Sequence, residues 1–327
     1  MAPRCTAALL IASLAGCGGG DSAAPAAAPA PSPVPTGKIT LSSTNYRNAS
    51  TLAMGVSSSA FWYSRLAVEV VNDLLNVPLN FLPTPCPASG SMSLELTDQN
   101  KDRSLDPGDT VHIRWNQCSA LGTTTTGLMR VELTAATQIP GGREYQITVI
   151  IADLNIDSGQ MGIPPFAVNF SAPVHYTHTA TSDHTVINGA DFTSGQVAGD
   201  PGTSELVIDY LQDYASQTYT YTVSGTVTSN ALGGQFDFAT PLPFTGVVGE
   251  YPGMGKMTLA GGANSSARLS EEGIAAADNA TVFIAVDSNG DGIVDASDAQ
   301  IPWINVVPQR LFSSFTEQPG VVGVPIP

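Results

Sequence analysis

The chain has 327 residues and a formal net charge of −16, with 12 basic and 28 acidic side chains. Such an acidic surface repels nucleic acid and anionic lipid headgroups, so it excludes nucleic acid as a partner and favours cations. After the N-terminal segment, the sequence has no run of about 18 uninterrupted apolar residues, so it predicts no transmembrane helix.

The first residues have the pattern of an export signal. Arg4 supplies a short basic start, and residues 6–15 are small or apolar. This run is too short to cross a bilayer, but it is typical of the apolar core of a signal peptide. We therefore expect residues 1–16 to be a targeting segment that is removed.

The segment ends in a specific motif, Leu14-Ala15-Gly16-Cys17. This motif closely resembles the lipobox of bacterial lipoproteins. The resemblance implies that the thiol of Cys17 carries a diacylglyceryl group and that the new amino end is acylated. Two or more acyl chains anchor a protein stably, whereas one chain binds only marginally. The alternative is an ordinary secretory signal in which the cysteine stands by chance.

Residues 18–36 form a low-complexity stretch of Gly, Ala and Pro that offers nothing to bury in a core. Because its proline-rich part favours extended polyproline II, we expect a tether. Gly18 is not the aspartate associated with inner-membrane retention, so the resemblance implies an outer-membrane lipoprotein of the cell envelope. The folded part, residues 37–327, is expected to be one domain or two subdomains, 37–140 and 141–327.

The remaining patterns indicate one helix and many strands. Residues 60–76 carry Phe61, Leu66, Val70 and Leu74 near helical spacing, which predicts an amphipathic helix that ends before Pro78. Most of the later chain alternates apolar and polar residues, and Gly and Pro clusters separate the runs. We therefore predict a mainly β fold, an antiparallel meander that forms a barrel or two packed sheets, with one N-terminal helix. The predicted inward positions include Met92, Leu94, Leu96, Val111, Ile113, Trp115, Leu128, Val131, Leu133, Ile147, Val149, Ile151, Tyr219, Tyr221 and Val223.

Cys86 and Cys118 are the cysteines that remain once Cys5 is removed and Cys17 is lipidated. An oxidising periplasm permits a disulfide between them, and the chain-entropy estimate for such a loop is about 3–4 kcal/mol. A metal site or a catalytic thiol is the alternative, but the pair lacks the Cys-x-x-Cys spacing of zinc sites. We predict the disulfide.

The most chemically specific segment of the later chain is residues 287–298, DSNGDGIVDASD. Oxygen-bearing side chains at its first, third, fifth, ninth and twelfth positions can surround one hard cation, and Gly292 permits the sharp turn between them. Val294 is predicted to pin the loop to the core. The predicted calcium ligands are Asp287, Asn289, Asp291, the carbonyl of Ile293, Asp295 and Asp298.

This loop resembles the calcium loop of EF-hands and, more closely, that of dockerins, in which aspartate commonly stands at the twelfth position. Residues 281–286 have a strand pattern and Pro302 opposes an exiting helix, so helix–loop–helix opening is not expected. We interpret the segment as a structural calcium clip. The alternative is a solvated acidic hairpin, because Asp, Asn and Gly also dominate turns.

Residues 98–109 repeat the pattern with Leu105 at the eighth position. Arg103 replaces the glycine and Lys101 adds positive charge, so both the turn and the attraction for a cation are poorer. Because this hairpin lies within the Cys86–Cys118 loop, we expect the disulfide and a metal to staple the same corner. The ligands predicted for this second, weaker site are Asp98, Asn100, Asp102, Ser104, Asp106 and Asp109.

Three histidines, His175, His178 and His184, lie near Asp183 and suggest a transition-metal site. However, His175 and His178 are an odd offset apart and would face opposite sides of a strand, so we interpret the three as surface residues. The sequence contains no serine-hydrolase elbow, zinc-protease helix or phosphate-binding glycine loop.

Two function classes follow. The favoured one is a noncatalytic surface or periplasmic module, in which strands bind a protein, glycan or lipid and calcium stiffens loops. The alternative is an envelope hydrolase that acts on polysaccharide or ester, with catalytic acids among the scattered carboxylates. The order of lipobox, helix, cysteine-flanked hairpin and late acidic loop also resembles that of uncharacterised Gram-negative lipoproteins, a resemblance that implies no particular activity.

Overall fold

The computed structural model describes residues 37–76, 84–120, 123–157, 166–195, 202–271 and 281–307. The signal segment, Cys17, the tether and Pro78 lie outside the described residues. Within the described ranges, one helix is followed by fourteen strands and a short 3-10 turn, Trp303–Asn305. The elements are α1 (Tyr46–Asn76), β1 (Thr84–Pro85), β2 (Ser89–Thr97), β3 (Thr110–Ala120), β4 (Thr123–Ile139), β5 (Gly142–Asp157), β6 (Phe166–Thr179), β7 (Ser182–Gly195), β8 (Gly202–Asp213), β9 (Thr218–Ser229), β10 (Gly234–Val247), β11 (Met254–Ala260), β12 (Ser266–Glu271), β13 (Thr281–Asp287) and β14 (Ala296–Pro302).

The strands form one antiparallel sheet in which each strand pairs with the next along the chain, from β1 to β14. This topology confirms the predicted mainly β meander with one N-terminal helix. The sheet continues without a break from β4 to β5 across residues 140 and 141. No helix within the described ranges is long and apolar enough to span a membrane.

The predicted alternation sets which face of each strand is buried. In β5, Ile147 and Val149 are buried while Thr148 between them is half-buried. In β4, Met129 rather than the predicted Leu128 is buried, because Met129 has the same parity as the buried Val131 and Leu133. The inward side chains of the sheet and α1 form one continuous core.

Helix α1 crosses the buried face of the sheet. It contacts strands β6 to β9 and also β12 and β13. From Val56 to Val68, every side chain is buried except Ser59 and Trp62, which are half-buried, so the middle of the helix is covered on all sides. The helix begins at Tyr46, earlier than the apolar spacing predicts. The spacing does not reveal its first half, because that half is rich in Ala and Ser and lacks a stripe of large apolar residues.

Because successive strands run in opposite directions, their connections alternate between two ends of the sheet. Residues 37–41 join the end that holds the turns after β9, β11 and β13, and we call it the proximal end. There the amide of Gly262 donates a hydrogen bond to the carbonyl of Ile39 at 2.6 Å. Residues 98–109, which follow β2, lie at the opposite, distal end, whereas residues 287–298 lie at the proximal end.

The predicted disulfide joins Cys86 and Cys118, with their Cα atoms 5.4 Å apart. Cys118 lies near the end of β3, and the amide of Ala88 donates to the carbonyl of Ser119, so the bridge is at the proximal end. The expectation that it shares a corner with residues 98–109 is therefore wrong. The nine residues of β2 separate the two features by roughly 30 Å.

Candidate functional site

Residues 287–298 run from the end of β13 to the start of β14. A strand therefore precedes the loop and no helix follows it directly, as the sequence pattern predicts. The carboxylate of Asp287 accepts the amide hydrogens of Gly290 at 2.7 Å and of Gly292 at 2.8 Å. Both glycines have positive φ, 77° and 83°, which turns the chain back over this carboxylate. The first half of the loop therefore coils around Asp287.

The third and fifth side chains continue this coil. Asn289 Oδ1 accepts the amide hydrogen of Asp291 at 2.9 Å, and Asp291 Oδ1 accepts that of Ile293 at 2.8 Å. Asp295 Oδ2 accepts the amide hydrogen of Ser288 at 2.7 Å and ties the second half of the loop to its start. The structure thus places the predicted side chains Asp287, Asn289, Asp291 and Asp295 in one turn.

The electrostatics of Asp287 reflect these amides. Desolvation acts to raise its pKa, but the amide donors of Gly292, Gly290 and Asn289 together hold the pKa below the ordinary value for aspartate. The carboxylate therefore stays ionised at neutral pH, which is the form that a hard cation requires.

Asp298, the predicted ligand at the twelfth position, has different partners. It lies on β14 and accepts hydrogen bonds from the guanidinium of Arg47, with Nε at 2.9 Å and Nη2 at 2.5 Å, and from the hydroxyl of Tyr46. Arg47 and Tyr46 hold the pKa of Asp298 below its usual value. In the structure, the Asp298 carboxylate therefore binds the first turn of α1.

The apolar residues of this loop face solvent. Ile293 is 67% exposed and Val294 is 44% exposed. The prediction that Val294 pins the loop to the core is wrong, because the side chain at this position points away from the sheet interior.

Residues 98–109 adopt the same turn at the distal end. The side chain at the first position accepts the amide hydrogens of the fourth and sixth residues. The third side chain accepts that of the fifth residue, and the fifth accepts that of the seventh, at distances between 2.5 and 3.1 Å overall. The fourth and sixth positions are Lys101 and Arg103, with φ of 64° and 69°. The backbone thus has the left-handed conformation that favours glycine, although neither residue is a glycine.

The second half of this loop closes on itself. Asp109 is only 2% exposed, and its carboxylate accepts the amide hydrogens of Gln99 and Asp106, both at 2.9 Å. Leu105, at the eighth position, is 5% exposed and belongs to the core. The structure therefore gathers Asp98, Asn100, Asp102, Asp106 and Asp109 in one loop, with Ser104 contributing its amide to Asp102.

Both loops offer hard oxygen atoms, the donor type that calcium prefers. Within the described residues, no group of three or more His, Cys, Asp or Glu side chains is arranged as a metal site. Asp287, Asp291 and Asp295 instead accept hydrogen bonds from amides of their own loop, and Asp298 accepts them from Arg47 and Tyr46. The donor chemistry fits calcium.

A second polar group, which the sequence did not reveal, lies between α1 and the inner face of the sheet. Arg65 is buried between the rings of Tyr176 and Tyr210, with its guanidinium carbon 5.9 and 5.8 Å from their centroids. Its nitrogens contact Glu69 at 3.3 Å and Asp183 at 3.8 Å. One cation therefore lies between two carboxylates in the interior.

Asp183 organises the rest of this cluster. Its carboxylate accepts the hydroxyl hydrogen of Tyr176 at 2.5 Å and contacts Nδ1 of His178 at 2.7 Å. Burial acts to raise its pKa, but hydrogen bonds from Tyr176, Tyr214 and His178 hold the pKa below its usual value. Burial raises the pKa of Glu69.

The other two histidines lie on the outer face, as the odd spacing predicts. His175 pairs with Glu144 at 2.8 Å, and His184 pairs with Asp209 at 2.9 Å. His178 lies on the inner face beside Asp183. In the sequence, its even spacing from Tyr176 indicates this face, because residues two apart in a strand lie on the same side.

No protein family, curated protein or solved structure matches this chain.

Proposed function

We propose that this chain is a lipid-anchored lipoprotein of the bacterial outer membrane, whose β domain is a noncatalytic binding or structural module with a calcium-stabilised loop. Support for the anchor comes from the lipobox ending at Cys17 and the proline-rich residues 18–36. Support for calcium comes from one observation above all. Asp287, Asn289 and Asp291 coil the chain around their oxygens, with Gly290 and Gly292 at positive φ.

In this proposal the cation is held by the side chains of Asp287, Asn289, Asp291 and Asp295 and the carbonyl of Ile293. Three carboxylates confined to one turn repel each other, and a divalent cation removes that repulsion. Binding would rigidify the β13–β14 hairpin. Extracellular calcium modules have dissociation constants of about 10⁻⁴ to 10⁻³ M, and we expect this range here.

Thermal unfolding with calcium and with EDTA tests the loop. Calcium at ten times the dissociation constant stabilises a protein by about 1.4 kcal/mol, which corresponds to a rise in Tm of roughly 3–5 °C for a domain of this size. Asp287→Asn should abolish the rise, and Asp98→Asn, its matched control in the distal loop, should leave most of it. An unchanged Tm in the parent chain, with no calcium found by mass spectrometry, would refute the calcium proposal.

Mass spectrometry of the N-terminal peptide tests the anchor. In a Gram-negative host, the mature chain should begin at Cys17, carry acyl chains and fractionate with the outer membrane. Cys17→Ser should prevent both lipid attachment and processing. A mature protein without lipid would show an ordinary secretory signal instead.

A second candidate is an envelope hydrolase that acts on polysaccharide or ester, and the cluster around Arg65 favours it. Glu69 and Asp183 contact the same guanidinium but have pKa values shifted in opposite directions, upward and downward, as in an acid and base pair. Nitrophenyl glycosides and esters test this candidate. Glu69→Gln should remove any turnover, whereas Glu144→Gln, on the outer face beside His175, should retain it. Absence of turnover in the parent chain would leave the noncatalytic module.

The partner of the module is a protein, glycan or lipid ligand. The net charge of −16 argues against nucleic acid.

A further inference from the structure

Three histidines pair with a carboxylate, and the pairs differ in which ring nitrogen makes the contact. The two outer ones, His175 and His184, contact their carboxylate partners through Nε2. His178 contacts Asp183 through Nδ1 at 2.7 Å. The three imidazole side chains are similarly exposed, at 40%, 41% and 36%. Of these three, His178 is therefore the one whose Nε2 is not taken by its carboxylate.

Asp183 determines which nitrogen of His178 carries the hydrogen. Burial acts to raise the pKa of Asp183, but hydrogen bonds from Tyr176, Tyr214 and His178 hold this pKa below its usual value. The carboxylate is therefore ionised at neutral pH and can only accept hydrogen bonds. Because Nδ1 of His178 must then be the donor, the lone pair of the neutral imidazole lies on Nε2.

The surroundings of His178 fix the orientation of its ring. His178 and Asp183 are direct partners across β6 and β7, next to the turn between these strands at the distal end. The ring of Tyr176 stacks on the imidazole at 6.5 Å, and the ring of Tyr214 lies 6.2 Å away. The amide of Tyr214 donates to the carbonyl of Thr181 at 2.8 Å, which ties the turn after β8 to the same corner. Among the described residues, Nε2 of His178 has no hydrogen-bond partner.

Glu69 supplies a second titratable group at this corner. It lies on α1, its side chain is 25% exposed, and it contacts Arg65 at 3.3 Å. Burial raises the pKa of Glu69, while the charges of Arg65 and His178 act to lower it, so Glu69 and His178 are close enough to interact electrostatically. The upward shift favours the protonated form of Glu69, which can donate a proton. A proton acceptor and a proton donor therefore belong to one cluster.

We propose that His178 is the general base of an ester-hydrolysing site at the distal end, with Asp183 positioning its ring and Glu69 acting as the acid. This inference rests on the second candidate function above and narrows its substrate to esters. Glycoside hydrolysis commonly uses two carboxylates that both reach the substrate, whereas Asp183 is only 7% exposed and is bound to the imidazole.

The proposed reaction uses water as the nucleophile. Nε2 of His178 takes a proton from a water molecule while the water oxygen bonds to the ester carbonyl carbon. The tetrahedral intermediate then breaks its bond to the alcohol oxygen, which receives a proton from the carboxyl group of Glu69. The proton on His178 returns to Glu69 through solvent. The products are a carboxylic acid and an alcohol, and both side chains regain their starting forms.

Hydrolysis of p-nitrophenyl acetate by the full chain tests the base. His178→Ala should lower kcat by roughly 100-fold or more, and added imidazole should restore part of the loss, because it replaces the missing base. The matched control is His184→Ala, which removes a similarly exposed histidine on the outer face and should retain turnover. Circular dichroism checks that both variants are folded. Retained turnover in His178→Ala would overturn the proposal, as would a loss that imidazole does not restore.

Chemical labelling of the parent chain tests the open nitrogen without any substitution. Diethyl pyrocarbonate acylates a free nitrogen of neutral imidazole, and mass spectrometry of peptides gives the rate at each histidine. His178 should react several-fold faster than His175 and His184, because their Nε2 atoms contact carboxylates. Equal rates at the three histidines would show that Nε2 of His178 is not open, and would overturn the proposal.

Kinetics of Asp183→Asn test the positioning role. An amide can donate a hydrogen bond to Nδ1 and so hold the ring in the other tautomer, in which Nε2 carries the hydrogen. We expect kcat to fall while KM stays unchanged, because the base acts in the chemical step. An unchanged kcat would contradict the positioning role.

The outcomes separate this inference from the candidate function on which it rests. If Glu69→Gln removes turnover and His178→Ala retains it, the hydrolase candidate stands and His178 is not its base. Turnover of nitrophenyl glycosides without turnover of esters would also leave a hydrolase and overturn the inference. If the parent chain hydrolyses neither substrate, both are wrong and the noncatalytic module remains.

Discussion

Residues 98–109 and residues 287–298 fold their first seven positions in the same way and differ in the positions that follow. In the distal loop, Leu105 enters the core and Asp109 closes the turn from within. In the proximal loop, Val294 faces solvent and Asp298 joins the start of α1. The same local turn is thus part of the core packing at one end and an exposed projection at the other.

This difference separates a structural turn from a candidate ligand-binding one. The distal carboxylates are satisfied by amides of their own loop, and a buried leucine holds that loop to the sheet. In the proximal loop, Asp295 likewise accepts an amide hydrogen, from Ser288, but Val294 is exposed at the position that Leu105 fills in the distal loop. The side chains of Ile293 and Val294 can therefore contact a ligand without disturbing the sheet.

The eighth position should give the largest contrast between the loops. Leu105→Ala removes a buried side chain and should lower the free energy of unfolding by about 2–4 kcal/mol. Val294→Ala should change it by less than about 0.5 kcal/mol, because the side chain is already exposed to solvent. Urea denaturation of the two variants measures both. Equal losses would show that Val294 packs against the domain in solution.

The twelfth position should give the next largest contrast. Asp109→Ala leaves the amides of Gln99 and Asp106 without their acceptor in a buried site and should cost about 1–3 kcal/mol. Asp298→Ala breaks a partly exposed pair with Arg47 and should cost about 1 kcal/mol or less. The comparison, made in EDTA to exclude calcium, is contradicted if Asp298→Ala is the more damaging change.

Several of these features follow from local sequence, and others do not. Alternation predicts the strands and their buried faces because each residue's face depends on its parity within the strand. The two acidic patterns predict the shared turn because Asp and Asn side chains bond amides two to five residues away. The disulfide follows from the count of cysteines, and the structure confirms it.

The features that the sequence missed depend on distant partners. Asp298 and Arg47 are separated by 251 residues, so no local pattern links them. The burial of Leu105 and the exposure of Val294 depend on how each hairpin packs, although both residues are aliphatic at the same loop position. The cluster around Arg65 is assembled from α1, β6, β7 and β8, and a lone arginine in a helical pattern does not reveal it.

The sixth position should show effects of opposite sign in the two loops. Arg103 holds a left-handed backbone at φ 69°, so Arg103→Gly should stabilise the distal loop by about 0.5–1 kcal/mol. Gly292 has open space where a Cβ would stand but a φ of 83°, so Gly292→Ala should destabilise by about 1 kcal/mol through backbone strain alone. Thermal unfolding measures both. A loss of stability in Arg103→Gly would mean that its side chain, rather than its backbone, matters there.

The smallest expected effect concerns calcium and Asp298. Because Arg47 and Tyr46 engage this carboxylate, Asp298→Asn should change the calcium dissociation constant by less than about twofold, as measured by calorimetry. Asp295→Asn, within the turn, should weaken binding by roughly tenfold, because it removes a charged ligand. If Asp298→Asn instead abolishes binding, Asp298 leaves Arg47 to complete the coordination sphere. The proximal loop would then become a closed clip like its distal counterpart.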